Sequence, residues 1–258
     1  MGEEGLGDLR GSKYLLHEGK YRDLVDGFIS IDGDGSNRLI NRELGSRRYR
    51  VTVTGPGGHS YLNFGRANPA NAIGRIIAHL ADMEVPAAPK TTYNVGRIGG
   101  GTSVNSVPFE SWLEFDMRSE EEGSLTRLEE EFLKRAQMGV DEENRTRAGS
   151  GTSVKLDASR IAIRHAVSTP VNESLVQAAK WAGVAVGVGA PGTYTGSSDT
   201  NTPLAMGIPA ISIDGGGKAG SLHSLEEWFE PADAYKGIQI ALLTVLAYDE
   251  VFPAARAH

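Results

Sequence analysis

Three acidic residues and one histidine stand where they could bind a metal ion or hold a proton. Glu3 and Glu4 are adjacent in a glycine-flanked turn near the start of the sequence. Asp32 directly follows an apolar, strand-like segment, and His223 follows a strand and a glycine-rich turn. Neighbouring carboxylates can diverge, so that one binds a metal while the other holds a proton. A histidine near carboxylates at strand ends is a candidate zinc ligand.

Each of these residues also has an interpretation that involves no chemistry. Adjacent glutamates are usually solvated surface charge, and a lone histidine is more often structural. Asp32 can simply belong to a strand end and the turn that follows it, or it can be a carboxylate ligand in some other kind of site. A calcium loop is a further alternative, because Asp32, Asp34, Ser36 and Glu43 imitate its spacing. Its sixth position is Asn37 instead of glycine, and a strand-like segment precedes it, which argues against an EF-hand.

Composition excludes several classes of protein. The 258 residues carry a formal net charge of −7, which argues against nucleic-acid and anionic-membrane partners. There is no cysteine, so disulfides, thiolate catalysis and cysteine-based zinc sites are excluded. No apolar run approaches the roughly 20 residues of a membrane span, and the acidic N-terminus does not resemble a signal peptide. We therefore expect a soluble, cytoplasmic protein of mixed α/β class.

The pattern of apolar residues predicts one domain inserted into another. Between residues 47 and 165 the order strand-helix-strand-strand-helix-strand is typical of a ferredoxin-like α+β unit. The flanking pieces have an α/β character, with apolar strands at 27–32 and 209–214. The predicted domains are residues 1–45 and 166–258 for the α/β domain, and residues 46–165 for the inserted domain. Helices are predicted at 9–17, from Asn68, and at 120–136, 173–182 and 232–246.

Seven segments occur in a fixed order between residue 2 and about residue 231. They are GEEGLGDLRG, GFISIDGDG, VTVTGPGGHS, GGTSVNSVP, FDMRSEEE, GSSDTNTPLAMGIPAISIDGGG and GSLHSLEEWFEP. They resemble the motifs of the M20 family of metallopeptidases, which includes carboxypeptidase G2-like enzymes, acetylornithine deacetylase, succinyl-diaminopimelate desuccinylase and peptidase T. The resemblance implies a zinc-peptidase α/β catalytic domain interrupted by a ferredoxin-like dimerisation domain, the lid.

The resemblance also implies roles for residues of the catalytic domain. Glu3 resembles the general base that deprotonates a metal-bound water. Glu4 resembles a ligand of one zinc ion and Asp32 a ligand of the other. His223 resembles the far ligand, which shares its metal with Glu4. Two zinc ions per active site are expected for the family.

The lid carries three more residues that resemble functional groups of the family. His59 of GPGGHS resembles a histidine that reaches the partner subunit's site and stabilises the developing oxyanion. Asn105 of SVNSVP and Arg118 of FDMRS resemble groups that bind the substrate carbonyl and carboxylate. The resemblance thus implies a homodimer, formed through the lid, that hydrolyses amide bonds of peptides or N-acyl amino acids.

The sequence departs from the family at its N-terminal side. It lacks the segment that carries a His-x-Asp ligand motif and a bridging aspartate, and so retains three of five expected metal ligands. We therefore expect a truncated chain with an incomplete metal site, which can be inactive by itself. A fragment, a split gene and a start misassigned at Met1 are three possible origins. The alternative function is a non-catalytic dimerisation module or remnant of such an enzyme.

Overall fold

A computed structural model describes residues 8–20, 22–222 and 224–251. Glu3, Glu4 and His223 lie outside this part of the chain. Contacts between Cα atoms divide the protein into two units. Unit 1 comprises the described residues of Met1–Leu44 and Arg164–His258, and unit 2 is Gly45–Ile163. Within the described ranges, no helix is long and apolar enough to cross a membrane.

The two units contain both helices and strands. The helices are α1 (Arg10–His17), α2 (Pro69–Ala81), α3 (Glu122–Thr146), α4 (Ser174–Ala185), α5 (Asn201–Ala205) and α6 (Ala234–Val251). The strands are β1 (Phe28–Ile31), β2 (Arg38–Glu43), β3 (Gly45–Thr54), β4 (Gly58–His59), β5 (Thr91–Gly100), β6 (Ser106–Val107), β7 (Glu110–Ser119), β8 (Lys155–Arg164), β9 (Val167–Ser168), β10 (Gly192–Gly196), β11 (Ala210–Ile213), β12 (Lys218–Gly220) and β13 (Trp228–Glu230).

Unit 2 is a four-stranded sheet with two helices on one face. The strands lie in the order β5-β7-β3-β8, and the chain visits them as β3-α2-β5-β7-α3-β8. Helices α2 and α3 contact each other, and both contact β3 and β7. This connectivity and strand order confirm the predicted ferredoxin-like arrangement.

The core of unit 2 follows from the alternation that the sequence displays. Strand β3 buries every second residue, including Val51 and Val53, and β7 does the same with Phe115. Phe115 stacks on Phe132 of α3, with ring centroids 4.6 Å apart. Helix α2 begins after Asn68, whose side chain accepts a hydrogen bond from a backbone amide of the first turn. Apolar faces from the helices and the sheet therefore meet in one core.

Helix α3 extends ten residues beyond the predicted end at 136. The additional turns carry few apolar side chains, but they contain Glu143, which is completely buried. Its carboxylate accepts hydrogen bonds from the backbone amide of Asn68 at 3.1 Å and from Arg75 Nε at 3.2 Å. The end of α3 is thus held by polar contacts to the start of α2, which a hydrophobic pattern does not reveal.

Unit 1 is built on a mixed sheet in which β1, β11, β2 and β10 are successive neighbours. Strand β1 runs parallel to β11, whereas β2 is antiparallel to β11 and parallel to β10. Helices α4 and α6 pack against each other, and Leu175 and Ile240 join the buried strand residues in one core. The predicted apolar strands are both present, but only β11 is fully buried; β1 is not, because it pairs only with β11 among the described strands. Ile31 is therefore 60% exposed.

Candidate functional site

His59 and Asn105 are brought together by a small ribbon in unit 2. Strands β4 and β6 pair antiparallel, with His59 opposite Ser106. The backbone amide of Ser60 donates a hydrogen bond to the carbonyl oxygen of Asn105 at 2.9 Å. Both side chains are exposed. His59 and Asn105, which are far apart in the sequence, thus share one local structure.

The ring of His59 is oriented by its neighbours in the same turn. Its Nδ1 accepts a hydrogen bond from the backbone amide of Tyr61 at 3.2 Å, and its own amide donates to Asn63 Oδ1 at 2.9 Å. Gly57 and Gly58 precede it with φ of 64° and 136°, values that favour glycine. With Nδ1 as acceptor, the neutral ring carries its proton on Nε2 and presents a hydrogen-bond donor.

One of the two polar atoms in the Asn105 side chain is hydrogen-bonded, and the other can bind a ligand. Its Oδ1 accepts a hydrogen bond from Ser103 Oγ at 2.7 Å. Its Nδ2 amide makes no hydrogen bond within the described residues. Asn105 therefore offers N–H donors at the same ribbon that carries His59, and such donors can bind a carbonyl or oxyanion ligand.

Arg118 lies at the other end of unit 2. It is the penultimate residue of β7, and its Nε donates to Asp116 Oδ2 at 2.8 Å. Asp116 also accepts from Arg48 Nε at 2.8 Å, so the two arginines share one carboxylate. The path along β7 from Ser111, near the ribbon, to Arg118 is about 24 Å at 3.4 Å per residue. The structure therefore does not bring Arg118 to His59 within one chain.

Asp32 stands at the carboxyl end of β1, with an exposed side chain. Its backbone oxygen accepts a hydrogen bond from Arg38 Nη2 at 3.2 Å, but its carboxylate has no partner within the described residues. The other carboxylates of this region are engaged. Asp34 accepts from the amide of Ala219 at 2.9 Å, and Asp214 accepts from the amide and Nε of Arg38, both at 2.9 Å.

The calcium-loop alternative is wrong, because strands β1 and β2 flank the segment where an EF-hand has helices. Within residues 8–20, 22–222 and 224–251, no group of three or more His, Asp or Glu residues could hold a metal ion. Asp32 is the one proposed metal ligand in these ranges, since Glu4 and His223 lie outside them. The general base Glu3 lies outside them as well.

Sequence reasoning missed one buried carboxylate as a positioning group. Glu43, at the end of β2, is 2% exposed and accepts hydrogen bonds from the amide and hydroxyl of Ser198 at 2.7 and 2.8 Å. It also accepts from Thr200 Oγ1 at 2.5 Å. These bonds hold the GSSDTN segment against the sheet. The signal in the sequence was a cluster of hydroxyl residues, Ser197 to Thr200, with no positive charge beside it.

The inserted domain resembles a known protein family. Residues 41–141 match the family described as Peptidase dimerisation domain, of the M20 type. This segment is therefore similar to the dimerisation domains of M20 peptidases. It contains His59, Asn105 and Arg118, and it leaves Asp32 outside. No curated protein matches the chain in sequence.

Solved structures of other proteins share the fold of most of the chain. Aminopeptidase PepT from Bacillus cereus matches 96% of this chain with a TM-score of 0.72 and 19% identity. A tripeptidase from Staphylococcus aureus matches 95% with a TM-score of 0.64 and 20% identity. The YXEP protein of Bacillus subtilis, described as a dinuclear metal-binding peptidase from the M20 family, matches 94% with a TM-score of 0.64 and 15% identity.

The chain spans 61–62% of the length of these three structures. At such identities the likeness shows the fold. The resemblance to M20 peptidases is thus confirmed for the dimerisation domain and, for unit 1, at the level of the fold.

Proposed function

We propose that the protein is a zinc-dependent hydrolase of amide or peptide bonds, an M20-type exopeptidase or N-acyl amino acid deacylase. The observation that supports this most is the combination of an M20 peptidase dimerisation domain with a fold that follows a peptidase over 96% of the chain. Two of the lid residues with a proposed role, His59 and Asn105, also lie at the same ribbon and carry hydrogen-bond donors.

Glu4, Asp32 and His223 are the residues that would hold zinc. Asp32 fits this role, because its carboxylate is exposed at a strand end and has no partner among the described residues, unlike Asp34 and Asp214. Open α/β sheets bind ligands at such carboxyl ends. When bound, zinc would supply a Lewis acid that polarises the scissile carbonyl and acidifies water.

The remaining residues have roles in binding and proton transfer. Glu3 takes a proton from the attacking water and delivers it to the leaving amine. The Nε2–H of His59 and the Nδ2 amide of Asn105 donate hydrogen bonds to the carbonyl oxygen as its negative charge develops. Arg118 binds the free carboxylate of a peptide or N-acyl amino acid, since a guanidinium matches carboxylate geometry.

The proposed active form is a homodimer, because His59 and Arg118 of one chain are too far apart to act on one small substrate. Strand β5 is an edge strand of the described sheet, and α2 exposes a row of small residues next to it. Tyr93 of β5 donates to the carbonyl oxygen of Met83, just after α2, at 2.8 Å, which joins the two elements. The exposed small residues of α2 are Ala70, Asn71, Gly74, Ala78 and Ala81. A two-fold axis along this surface would pair β5 with β5 and α2 with α2.

Zinc binding tests the proposed metal site directly. The chain is titrated with zinc in competition with a chromophoric chelator, and the Asp32→Asn variant is compared with the Asp23→Asn variant. Asp23 is a matched control, because its side chain is 82% exposed and its one ion pair within the described part of the chain is with Arg22 next to it. We expect Asp32→Asn to weaken zinc affinity at least about tenfold and Asp23→Asn to leave it unchanged. Equal affinity in both variants would remove Asp32 from the site.

A non-catalytic dimerisation module is the second candidate. It is favoured by one observation, that the family match at 41–141 covers the dimerisation domain and little of unit 1. This alternative predicts a stable dimer that binds no zinc tightly and hydrolyses neither dipeptides nor N-acyl amino acids.

A further inference from the structure

A ladder of charged side chains lies on the face of the unit 2 sheet that is opposite α2 and α3. Strand β7 alternates between the two faces: Leu113, Phe115 and Met117 enter the core, so Glu114 and Asp116 point to the other side. Strands β3 and β5 place arginines opposite these carboxylates. We call this group the arginine ladder; its members are Arg48, Arg50, Arg97, Trp112, Glu114, Asp116 and Arg118.

Each carboxylate of the arginine ladder is shared by two arginines. Asp116 binds one arginine of β3 and one of β7, which form the Asp116 row. Glu114 accepts from Arg50 Nη1 at 2.8 Å and from Arg97 Nη1 at 3.0 Å, which form the Glu114 row. Two positive charges and one negative charge leave each row with one net positive charge, in a chain whose formal net charge is −7. Within the described residues each of these arginines makes one hydrogen bond, so most of its five N–H donors can bind a ligand.

A β-bulge places Arg97 on this face of the sheet. Two successive pairs of β5 and β7 enclose one extra residue, Gly96. Because of this extra residue Arg97 pairs with Glu114, whereas in a regular strand it would pair with Leu113 and point to the core side. Bulges that redirect a side chain are common next to active sites. The bulge is therefore a second, independent sign that the position of Arg97 serves binding.

Trp112 orients the two arginines of the Glu114 row. The guanidinium carbon of Arg50 lies 3.8 Å from the centroid of the Trp112 ring, and that of Arg97 lies 5.5 Å from it. A guanidinium is attracted to the face of an indole ring at such distances. The ring in turn rests on Gly99, where a Cβ would lie 2.5 Å from Trp112 Cζ2. The row is thus largely preorganised, so a ligand loses little of its binding energy to ordering these side chains.

The two rows are spaced for a ligand with two carboxylates. Glu114 and Asp116 are two residues apart on β7, which corresponds to about 6.8 Å at 3.4 Å per residue. Arg118, in the Asp116 row, is the proposed partner of a free α-carboxylate. A side-chain carboxylate of the same amino acid can then reach the Glu114 row, where Arg97 is 69% exposed. Glutamate suits this spacing better than aspartate, because its side chain is one methylene longer.

We propose that the arginine ladder selects substrates in which the residue with the free α-carboxylate is glutamate. Arg118 binds the α-carboxylate, and Arg50 and Arg97 bind the side-chain carboxylate in what we call the side-chain subsite. This inference rests on the proposed function for the role of Arg118, and it deepens that function by naming the substrate class. Guanidinium groups favour a carboxylate over an amide of the same shape, because the carboxylate is charged and only accepts hydrogen bonds. Glutamine is therefore the residue against which the side-chain subsite discriminates.

NMR spectroscopy of the indole groups tests the side-chain subsite without turnover. N-acetyl-L-glutamate and N-acetyl-L-glutamine are titrated into the ¹⁵N-labelled full chain, with phenanthroline present to prevent zinc-dependent hydrolysis. The indole signal of Trp112 is assigned with the Trp112→Phe variant. We expect the glutamate derivative to shift this signal and to bind at least about tenfold more tightly than the glutamine derivative. Equal affinity for the two compounds, or no shift of the Trp112 signal, would overturn the proposal.

Two substitutions with opposite expected effects test whether charge carries the selection. Arg97→Gln should weaken binding of N-acetyl-L-glutamate about tenfold, and Glu114→Gln should strengthen it about threefold, because it removes the negative charge of the row. Arg127→Gln is the matched control and should change nothing, since Arg127 is 70% exposed, pairs with Glu121 and lies on α3, at the opposite face of the sheet. Weaker binding by Glu114→Gln, or an equal loss in Arg127→Gln, would contradict the side-chain subsite.

The two proposals fail separately. A chain that binds N-acetyl-L-glutamate at the arginine ladder but hydrolyses no amide after zinc is added would contradict the proposed function and retain the side-chain subsite. A chain that hydrolyses N-acetyl-L-glutamate and N-acetyl-L-glutamine with equal kcat/KM would contradict the side-chain subsite alone.

Discussion

The Nδ1 atom of His59 accepts a hydrogen bond from the backbone amide of Tyr61 at 3.2 Å. This bond requires a lone pair on Nδ1, so the neutral ring presents its proton on Nε2. The ring is therefore a preorganised hydrogen-bond donor. Preorganised donors are what stabilises an oxyanion as its charge develops. The local chain, and not a distant partner, therefore sets the tautomer of this histidine.

Mixing two inactive variants tests whether the site contains residues of two subunits. His59→Ala and Arg118→Ala each remove one proposed contact with the substrate. If His59 of one copy acts with Arg118 of the other, a dimer of both variants contains one intact site, and random exchange should restore about a quarter of wild-type activity. The kcat of the separate and mixed variants is the measurement. A mixture that stays as inactive as its components would place both residues in the same chain's site.

The turn before His59 should tolerate no side chain. In Gly58→Ala the new Cβ would lie 2.7 Å from Asn63 Oδ1, and φ is 136°. We expect kcat/KM to fall about tenfold or more, because small displacements of a catalytic donor are costly, while the core of unit 2 stays intact. Gly149→Ala is the control, since nothing lies within 4 Å of its Cβ. Equal kinetics in the two variants would mean that the orientation of His59 does not matter.

The small residues of α2 should be required for dimer formation. Ala78 is exposed on α2, and Ala78→Glu would place like charges together at a two-fold axis. Sedimentation velocity should therefore show monomers at concentrations where the wild type is dimeric, with an unchanged circular dichroism spectrum. Leu133→Glu on α3, which is 37% exposed, is the matched control and should leave the dimer intact. Dimers of both variants would exclude α2 from the interface.

A buried polar cluster should stabilise unit 2. Tyr49 Oη donates to Glu129 Oε1 at 2.5 Å, and Arg47 and Arg160 also bind Glu129. Tyr49→Phe removes this donor, so the free energy of unfolding should fall by about 2 kcal/mol at pH 7. Urea denaturation is the measurement, and a loss below about 0.5 kcal/mol would show that the bond contributes little.

Tyr49 should also make the stability of the folded protein depend on pH. Burial, followed by the hydrogen bond to Glu129, raises the pKa of Tyr49 above 10.0 in the folded protein. The folded state therefore favours the neutral phenol. The resulting stability is fully present below the pKa of the unfolded chain and is lost as pH rises through the folded pKa. The difference in the free energy of unfolding between wild type and Tyr49→Phe should accordingly shrink above pH 10. A difference that grows above pH 10 would contradict this prediction.

The lid could be predicted from the sequence because its signals are local. Alternating apolar residues in β3 and β7 and the cap at Asn68 specify their elements without help from distant parts of the chain. The last turns of α3 could not, because Glu143 is buried there by contacts to Asn68 and Arg75. From the sequence alone, a glutamate in a charged stretch is expected at the solvated surface, and only its hydrogen-bond partners reveal that it is buried.

Unit 1 was harder to predict, because its sheet depends on neighbours that are distant in sequence. Strand β2 contains only two buried apolar residues, Leu39 and Ile40. Its strand conformation therefore depends on pairing with β10 and β11. The strand ending at Asp32 was found, but its exposure depends on which strand lies beside it. Asp32 could be recognised as a candidate from its place after a strand. Its free carboxylate became evident only when the partners of Asp34 and Asp214 were known.

The most direct test of the account is to purify the protein from its native source, quantify its zinc, and assay hydrolysis of dipeptides and N-acyl amino acids before and after chelation. We predict bound zinc and a hydrolytic activity that is lost on chelation and restored by added zinc. A stable dimer that contains no zinc and hydrolyses none of these substrates would contradict the proposed function and favour the dimerisation module.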